Sequence, residues 1–214
     1  MAVAFVNTAA AREKNRQQGV ASYAELLTWS LETGLLQPLD AERLSRRAAA
    51  EPQAEAEAWS QAETLRGALF RLFIALQTEK ELPADDLRIF NQTLSAALPA
   101  LRLVPGAQGP AWGWAGREDA LDRMLWPVLL AAAELLISTG GRPQVRQCAM
   151  HGCRLFFVDR GPARRRRWCD PKTCGTRAKS LRAYRRRGKA ARDKRFEKLG
   201  LWQTKRPRKS QIKL

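Results

Sequence analysis

The chain has 214 residues, 45% of them hydrophobic, with 38 Lys and Arg against 21 Asp and Glu and a formal net charge of +17. That length allows one or two domains with their own cores. It holds no apolar run of the roughly 18 residues that a spanning helix needs: the best stretch, Leu125 to Ile137, is shorter and contains Pro127.

The charge is unevenly divided. Residues 1–141 hold 13 Lys and Arg against 17 Asp and Glu, a net of −4, whereas residues 142–214 hold 25 against 4, a net of +21. Such asymmetry points to an ordinary acidic globular part joined to a part that binds a polyanion, with nucleic acid the first candidate and an anionic membrane the second.

Phe5-Val6-Asn7-Thr8 reads as a short strand or an irregular lead-in, and Arg12 to Gly19 as a loop. Ser22-Tyr23-Ala24-Glu25 is a capping-box signature that opens a helix running to about Thr33, where Gly34 ends it. Tyr23, Leu26, Leu27 and Leu31 give it one apolar face. A second helix spans about Asp40 to Ala50, and Pro52 opens a third that runs to about Gln77. Ala58, Ala62, Leu65, Leu69, Leu72, Phe73 and Leu76 recur there at helical spacing, which makes it the spine of the N-terminal part. Pro83-Ala84-Asp85-Asp86 starts a fourth helix, its acids complementing the dipole, with Leu87, Phe90, Leu94 and Leu98 as the buried face.

Leu101 to Val104 and Ala111 to Trp114 read as a hairpin. Its Trp112 and Trp114 share one strand face, either lining a pocket or covering a helix. A fifth helix is expected from Arg117 to Ser138 with a kink at Pro127, and Gly140-Gly141 with Pro143 makes a linker.

All four cysteines lie in the next stretch, as two pairs with four residues inside each pair and fifteen between them: Cys148, Cys153, Cys169 and Cys174. Two such knuckles complete the all-thiolate tetrahedral shell that Zn2+ prefers. Two disulfides are the alternative. Against them, the opening Met1-Ala2-Val3-Ala4-Phe5 lacks the basic and apolar regions of an export signal, so a reducing cytoplasmic setting is expected. Four thiolates leave no position for water, so one structural zinc ion is expected, not a catalytic one. His151, the only histidine, is either a substitute ligand or an exposed loop residue.

Arg154 to Val158 is β-rich and Gly161-Pro162 marks a turn, which places the first knuckle in a hairpin. The second leads into a helix over Thr176–Arg187. Knuckle, hairpin and helix make a treble-clef-like module. On that helix Arg177, Leu181, Tyr184 and Gly188 fall on a packing side, and Lys179, Arg182, Arg186 and Lys189 on a cationic one. Arg164, Arg165, Arg166 and Arg167 form a second basic block, and Lys205 to Lys209 a third. A charge run can be merely a solvated face; with three blocks together, nucleic-acid contacts are expected from Arg164–Arg167 and the helix stripe.

Arg146-Gln147-Cys148, Phe156-Phe157-Val158-Asp159, Arg167-Trp168-Cys169 and Cys174-Gly175-Thr176-Arg177-Ala178-Lys179 resemble the CGNR zinc-finger module. From Phe5-Val6-Asn7-Thr8 onward the chain resembles the ABATE domain, which precedes that finger in bacterial stress-induced transcription regulators. The resemblance covers nearly the whole chain and implies transcription regulation. Thr176 stands where the family motif has Asn. Either side chain can cap a helix, while any base contact made by that Asn is not carried over. Asp159 ends the hairpin strand in the part most similar to the family, and a bidentate pair with Arg177 is expected to tie helix to hairpin.

The expected architecture is mainly α: a helical domain with a small β-hairpin over 1–141, a four-cysteine zinc module over 142–190 and a basic tail over 191–214. No catalytic constellation is present, with no Gly-rich phosphate loop and no nucleophile elbow, so a non-enzyme is expected. The leading reading is a zinc-containing regulator that binds duplex DNA at the nucleoid, its N-terminal part taking a small-molecule effector or self-associating, with no membrane partner. An RNA-binding or ribonucleoprotein factor and a zinc-shaped protein–protein module are the alternatives. Few aromatics interleave with the basic residues, only Trp168, Tyr184 and Trp202, which disfavours single-strand stacking.

Overall fold

The computed structural model describes residues 1–13, 19–106, 109–137, 144–161, 163 and 165–198. The chain divides into two compact units, Met1–Cys169 and Asp170–Leu214. The architecture is mainly α, with two small antiparallel hairpins.

The first unit opens with a helix, α1 (Ala2–Glu13), where a strand or lead-in was expected. Ala2, Phe5 and Val6 are fully buried, a spacing of three and four that a helix, and not a strand, places on one face. Phe5 and Val6 favour strands locally, but packing of that face on the long helices outweighs the preference. In α2 (Tyr23–Glu32) the cap is as expected: Ser22 Oγ accepts from Glu25 N at 3.2 Å. The Glu25 carboxylate reaches back to Ala21 N at 2.6 Å. Trp29 is buried in this helix and Leu31 is exposed, so the apolar face is rotated from the expected one. The buried Tyr23 hydroxyl donates to Leu121 O at 2.9 Å. Burial, reinforced by nearby Asp122, pushes that phenol well above its ordinary range.

After α3 (Pro38–Ala50), α4 (Pro52–Gln77) is the spine, with prolines opening both helices. Leu65, Ala68, Leu69, Leu72 and Phe73 are fully buried along it. It touches α1, α2, α3, α6 (Trp126–Ile137) and α5 (Ala84–Ala97). Two polar anchors fix it. Arg66, 7% exposed, donates to Thr8 Oγ1 and Val20 O, both at 3.0 Å. Arg71 grips Asp86 with three hydrogen bonds of 2.7 to 3.1 Å. Asp86, read in the sequence as a dipole partner, is 4% exposed and ties α5 to α4. Leu98, expected on the buried face of α5, is exposed.

β1 (Leu101–Gly106) and β2 (Gly109–Trp114) pair in register, Leu103 opposite Trp112. Only the base of this hairpin packs: Trp114 lies 5.6 Å from Trp126, whereas Trp112 and Leu103 are exposed. The expected fifth helix begins at Trp126, after a turn over Arg123–Leu125. Pro127 therefore sits in its first turn, where a missing N–H costs nothing, and not mid-helix. The expected linker at residues 140–143 lies outside the described residues. No described helix is long and apolar enough to cross a membrane.

The second hairpin, β3 (Val145–Gln147) and β4 (Phe156–Val158), belongs to the first unit and completes its core. Val145 and Phe156 are fully buried, and the Phe156 ring meets Phe70 and Phe73 edge-on at 5.3 and 5.8 Å. Both outer edges of this two-stranded sheet are closed by amide side chains. Asn7 of α1 donates to Phe156 O at 2.9 Å and accepts from Phe156 N at 2.8 Å, and Gln77 Oε1 at the end of α4 accepts from Gln147 N. Unsatisfied strand edges are thereby paired without a third strand.

In the second unit, a single π-helical turn (Pro171–Gly175) leads into α7 (Thr176–Lys198). From Thr176 to Lys189 every residue of α7 except Ala178 is exposed. The expected packing side is not found: Leu181 is 39% and Tyr184 76% exposed.

Candidate zinc centre and basic helix

The first knuckle is built by backbone hydrogen bonds around its two sulfurs. β3 delivers Cys148, whose N–H donates to Leu155 O at 2.8 Å, and Cys153 N–H closes the turn on Met150 O at 2.8 Å. Gly152 takes φ +72°, a conformation that a side chain would strain. His151 beside it is exposed. A strap from the second pair reaches across, with Ala149 N donating to Arg167 O at 2.8 Å.

The second knuckle turns on Asp170, a residue without a role in the sequence pattern as first read. Its carboxylate accepts from Lys172 N at 2.8 Å and from Thr173 Oγ1 at 2.9 Å, and its carbonyl accepts from Gly175 N at 3.1 Å. Those bonds, the Lys172 N–H first, hold the carboxyl below its ordinary range. The local signal was present: an Asp followed by Pro and, three residues on, Thr is a helix-start pattern. The turn places Cys174, 3% exposed, just before α7.

The sulfurs of Cys148, Cys153, Cys169 and Cys174 all lie within 4.8 Å of one another. Cys153 and Cys169 are 3.8 Å apart. A disulfide needs about 2.0 Å, whereas two ligands at about 2.3 Å from a tetrahedral zinc lie about 3.8 Å apart. None of the four cysteines forms a disulfide, and three are buried. The donor set thus fits one structural Zn2+ with a closed all-sulfur shell.

Asp159 is 5% exposed. Its two oxygens accept from Gly161 N at 3.2 Å and Arg166 N at 2.8 Å, and among the described residues its cationic partner is Arg146 at 4.0 Å. Arg177, the expected partner of Asp159, belongs to the second unit and is exposed in the first turn of α7. The buried carboxylate is held locally by the turn after β4. Arg146 was missed because it stands outside every basic block.

Of the expected nucleic-acid block, Arg164 lies outside the described residues. Arg165 is exposed. Arg166 turns inward to the finger: its Nε donates to Trp168 O at 2.9 Å, its Nη2 to Cys169 O, and its guanidinium lies 4.7 Å from the Phe157 ring centre. Arg167 lies over Trp168 at 5.7 Å. Lys179, Arg182, Arg186 and Lys189 are all exposed on α7, as are Arg177, Arg185 and Arg187, so cations surround the helix instead of forming one stripe. Arg182 Nε also donates to Ala178 O at 3.2 Å.

Residues 144–187 match the model of the CGNR zinc finger. Residues 1–139 match that of the ABATE family, described as "Putative stress-induced transcription regulator". No curated protein matches the chain. With its N-terminal helices spanned by the one model and its cysteine cluster by the other, the chain belongs to the ABATE family and carries a CGNR zinc finger.

Proposed function

We propose that the protein is a transcription regulator that binds duplex DNA through the finger and α7, with residues 142–190 as the DNA-binding module, residues 191–214 as a basic tail and residues 1–141 as the part that receives a signal. The observation that carries this reading is α7. It starts two residues after a zinc ligand, and from Thr176 to Lys189 it exposes Arg177, Lys179, Arg182, Arg185, Arg186, Arg187 and Lys189 without a single carboxylate.

An exposed helix about 10–12 Å across fits the major groove, about 12 Å wide. At about 1.5 Å per residue, the 23 residues of α7 approach the length of one duplex turn, about 34–36 Å. Cations on every side of the helix suit a groove flanked by two phosphate backbones better than a flat anionic surface. Arg166 and Arg167 support the fold of the finger on this reading, and Arg165 is the described member of that block available to a phosphate.

The test is to titrate the zinc-loaded protein against duplex DNA, single-stranded DNA and duplex RNA at two salt concentrations. Tightest binding to duplex DNA, weakening steeply with salt, is the expected result. Equal or tighter binding to RNA would replace the reading with a ribonucleoprotein role, and salt-independent binding would remove the polyanion reading altogether.

A further inference from the structure

Val6 and Ala9 of α1, Glu63, Arg66, Gly67, Phe70 and Arg71 of α4, and Arg154 of the finger line a crevice of about 290 Å³. That is near the lower end of small-molecule sites, about 300 Å³. Three features separate it from an ordinary surface groove such as the one lined by Ser60, Gln61, Thr64 and Gln92.

Two of its three cations, Arg66 and Arg71, are held in place before any ligand arrives. Arg66 is 7% exposed, bonded to Thr8 and Val20 and paired with Glu63 at 3.5 Å, Arg71 is gripped by Asp86, and the guanidinium of the exposed Arg154 lies 5.7 Å from the centre of the Phe70 ring. Three arginines against Glu63 and Asp86 leave the neighbourhood one positive charge in excess. Fixed guanidinium forks match a carboxylate.

Its wall contains Gly67, in the middle of the longest helix. Glycine is the weakest helix former after proline, and its φ here is not one that requires it. A Cβ at this position would meet only the Arg71 guanidinium, no closer than 3.4 Å, an ordinary contact, so packing does not demand glycine either. What the missing side chain does is leave the crevice open.

Its location joins the two family modules within the first unit. Phe70 touches Phe156 of β4, and Arg154 follows the zinc ligand Cys153 directly. A molecule in the crevice would contact both the N-terminal helices and the finger hairpin.

We propose that this crevice is a binding site for a small organic monocarboxylate with a ring or short apolar body, its carboxylate facing Arg66 and Arg154 and its apolar part lying on Val6, Ala9 and Phe70. This deepens the reading of residues 1–141 as the part that receives a signal. It does not depend on duplex DNA being the partner, because binding of the carboxylate is measured without any nucleic acid.

The experiment uses the full zinc-loaded chain, with benzoate as probe and benzyl alcohol and inorganic phosphate as controls at the same millimolar concentration, read by thermal melting and calorimetry. Benzoate should raise the melting temperature by a few degrees and the controls should not, since only a ligand of the folded state shifts the equilibrium. Gly67→Leu should fill the crevice and abolish the shift, and Arg154→Gln should weaken benzoate binding at least tenfold. Gly67→Ala, which narrows the crevice least, should fold at least as stably as the parent chain and show that position 67 tolerates a side chain. No benzoate binding to the parent chain, an equal shift with phosphate, or a shift that survives Gly67→Leu would each overturn the proposal. Duplex binding measured on the same preparations reports separately on the DNA reading.

Discussion

Asn7 and Phe156, 149 positions apart, exchange two hydrogen bonds: the Asn7 amide donates to the Phe156 carbonyl at 2.9 Å and accepts from its N–H at 2.8 Å. A side-chain amide here does what a neighbouring strand would do, and does it between the first helix of the chain and the hairpin of the zinc finger. Asn7→Ala leaves both backbone groups of a half-buried edge without a partner, so a loss of about 1–3 kcal/mol is expected. Asn7→Asp keeps the acceptor, loses the donor, and should fall between. Urea melts of the three proteins check the order; an Asn7→Ala chain as stable as the parent would show that water serves the edge equally well.

Asp159 should be structural through the turn after β4. Asp159→Ala strips the acceptors from Gly161 N–H and Arg166 N–H and from Arg146, at a cost of about 2–4 kcal/mol, as for removing one partner of a buried charged cluster. Arg177→Ala should change stability by less than about 0.5 kcal/mol, as for an ordinary surface substitution. A double-mutant cycle should show coupling between Asp159 and Arg146 and none between Asp159 and Arg177.

Metal removal should act unevenly along the chain. Cys169→Ser is expected to abolish binding of one zinc per chain, and with it a contribution on the order of 10–16 kcal/mol to folding of the site. The helices α1–α6 should keep their circular dichroism, and β4 should stay seated through Phe156 and Asn7. Trypsin should then cut first at Arg160 to Arg167 and along α7. Parent and variant giving the same fragments would rule out a metal-dependent finger.

Arg182→Ala with Arg186→Ala should weaken binding to all duplexes alike. If the parent makes about six to eight phosphate contacts, log K should fall with log salt at about −0.9 per contact, and the double variant should lose about two contacts from that slope. Arg166→Ala separates the roles: it should lower the melting temperature of the finger and leave the slope nearly unchanged, because its guanidinium is turned to Trp168 and Cys169. The reverse pattern would make Arg166 the phosphate contact.

Tyr23 sets an alkaline limit. Its phenol is held above the ordinary value of about 10 by burial. Above that pH the unfolded chain gives up the proton and the folded chain keeps it. Stability is therefore flat below about pH 10 and falls by up to about 1.4 kcal/mol per pH unit above it. Tyr23→Phe should lose about 1 kcal/mol at neutral pH with the bond to Leu121 O and have a shallower alkaline decline; melting curves between about pH 8 and 11, spanning the ordinary phenol range, would show the two lines converging.

The zinc ligands were legible because metal ligation is a matter of residue type and spacing, and neither depends on distant packing. Pro52 and Ser22 were legible for the same local reason. Periodicity, by contrast, says which residues share a face and not whether anything covers it. Leu181 and Tyr184 do lie on one side of α7 and are exposed, and Trp112 shares a strand face with Trp114, yet only Trp114 is covered. Least legible were Asn7, Arg66, Arg71 and Gln77. Each is a polar residue whose partner is supplied by another element, and no window of sequence contains both halves of such a bond.

The burial of Val145 and Phe156 against α1 and α4 also sets a timetable. At about 5–20 residues per second, the ribosome adds Phe156 roughly 7–30 s after Asn7. Until then Phe70 and Phe73 have no ring to meet and the Asn7 amide has no backbone to hold. The N-terminal helices emerge first but are finished last, by a segment that lies next to the metal ligands. A nascent chain stalled near residue 140 therefore presents more of the Phe70 and Phe73 rings than the complete protein does, a natural recognition point for chaperones and proteases.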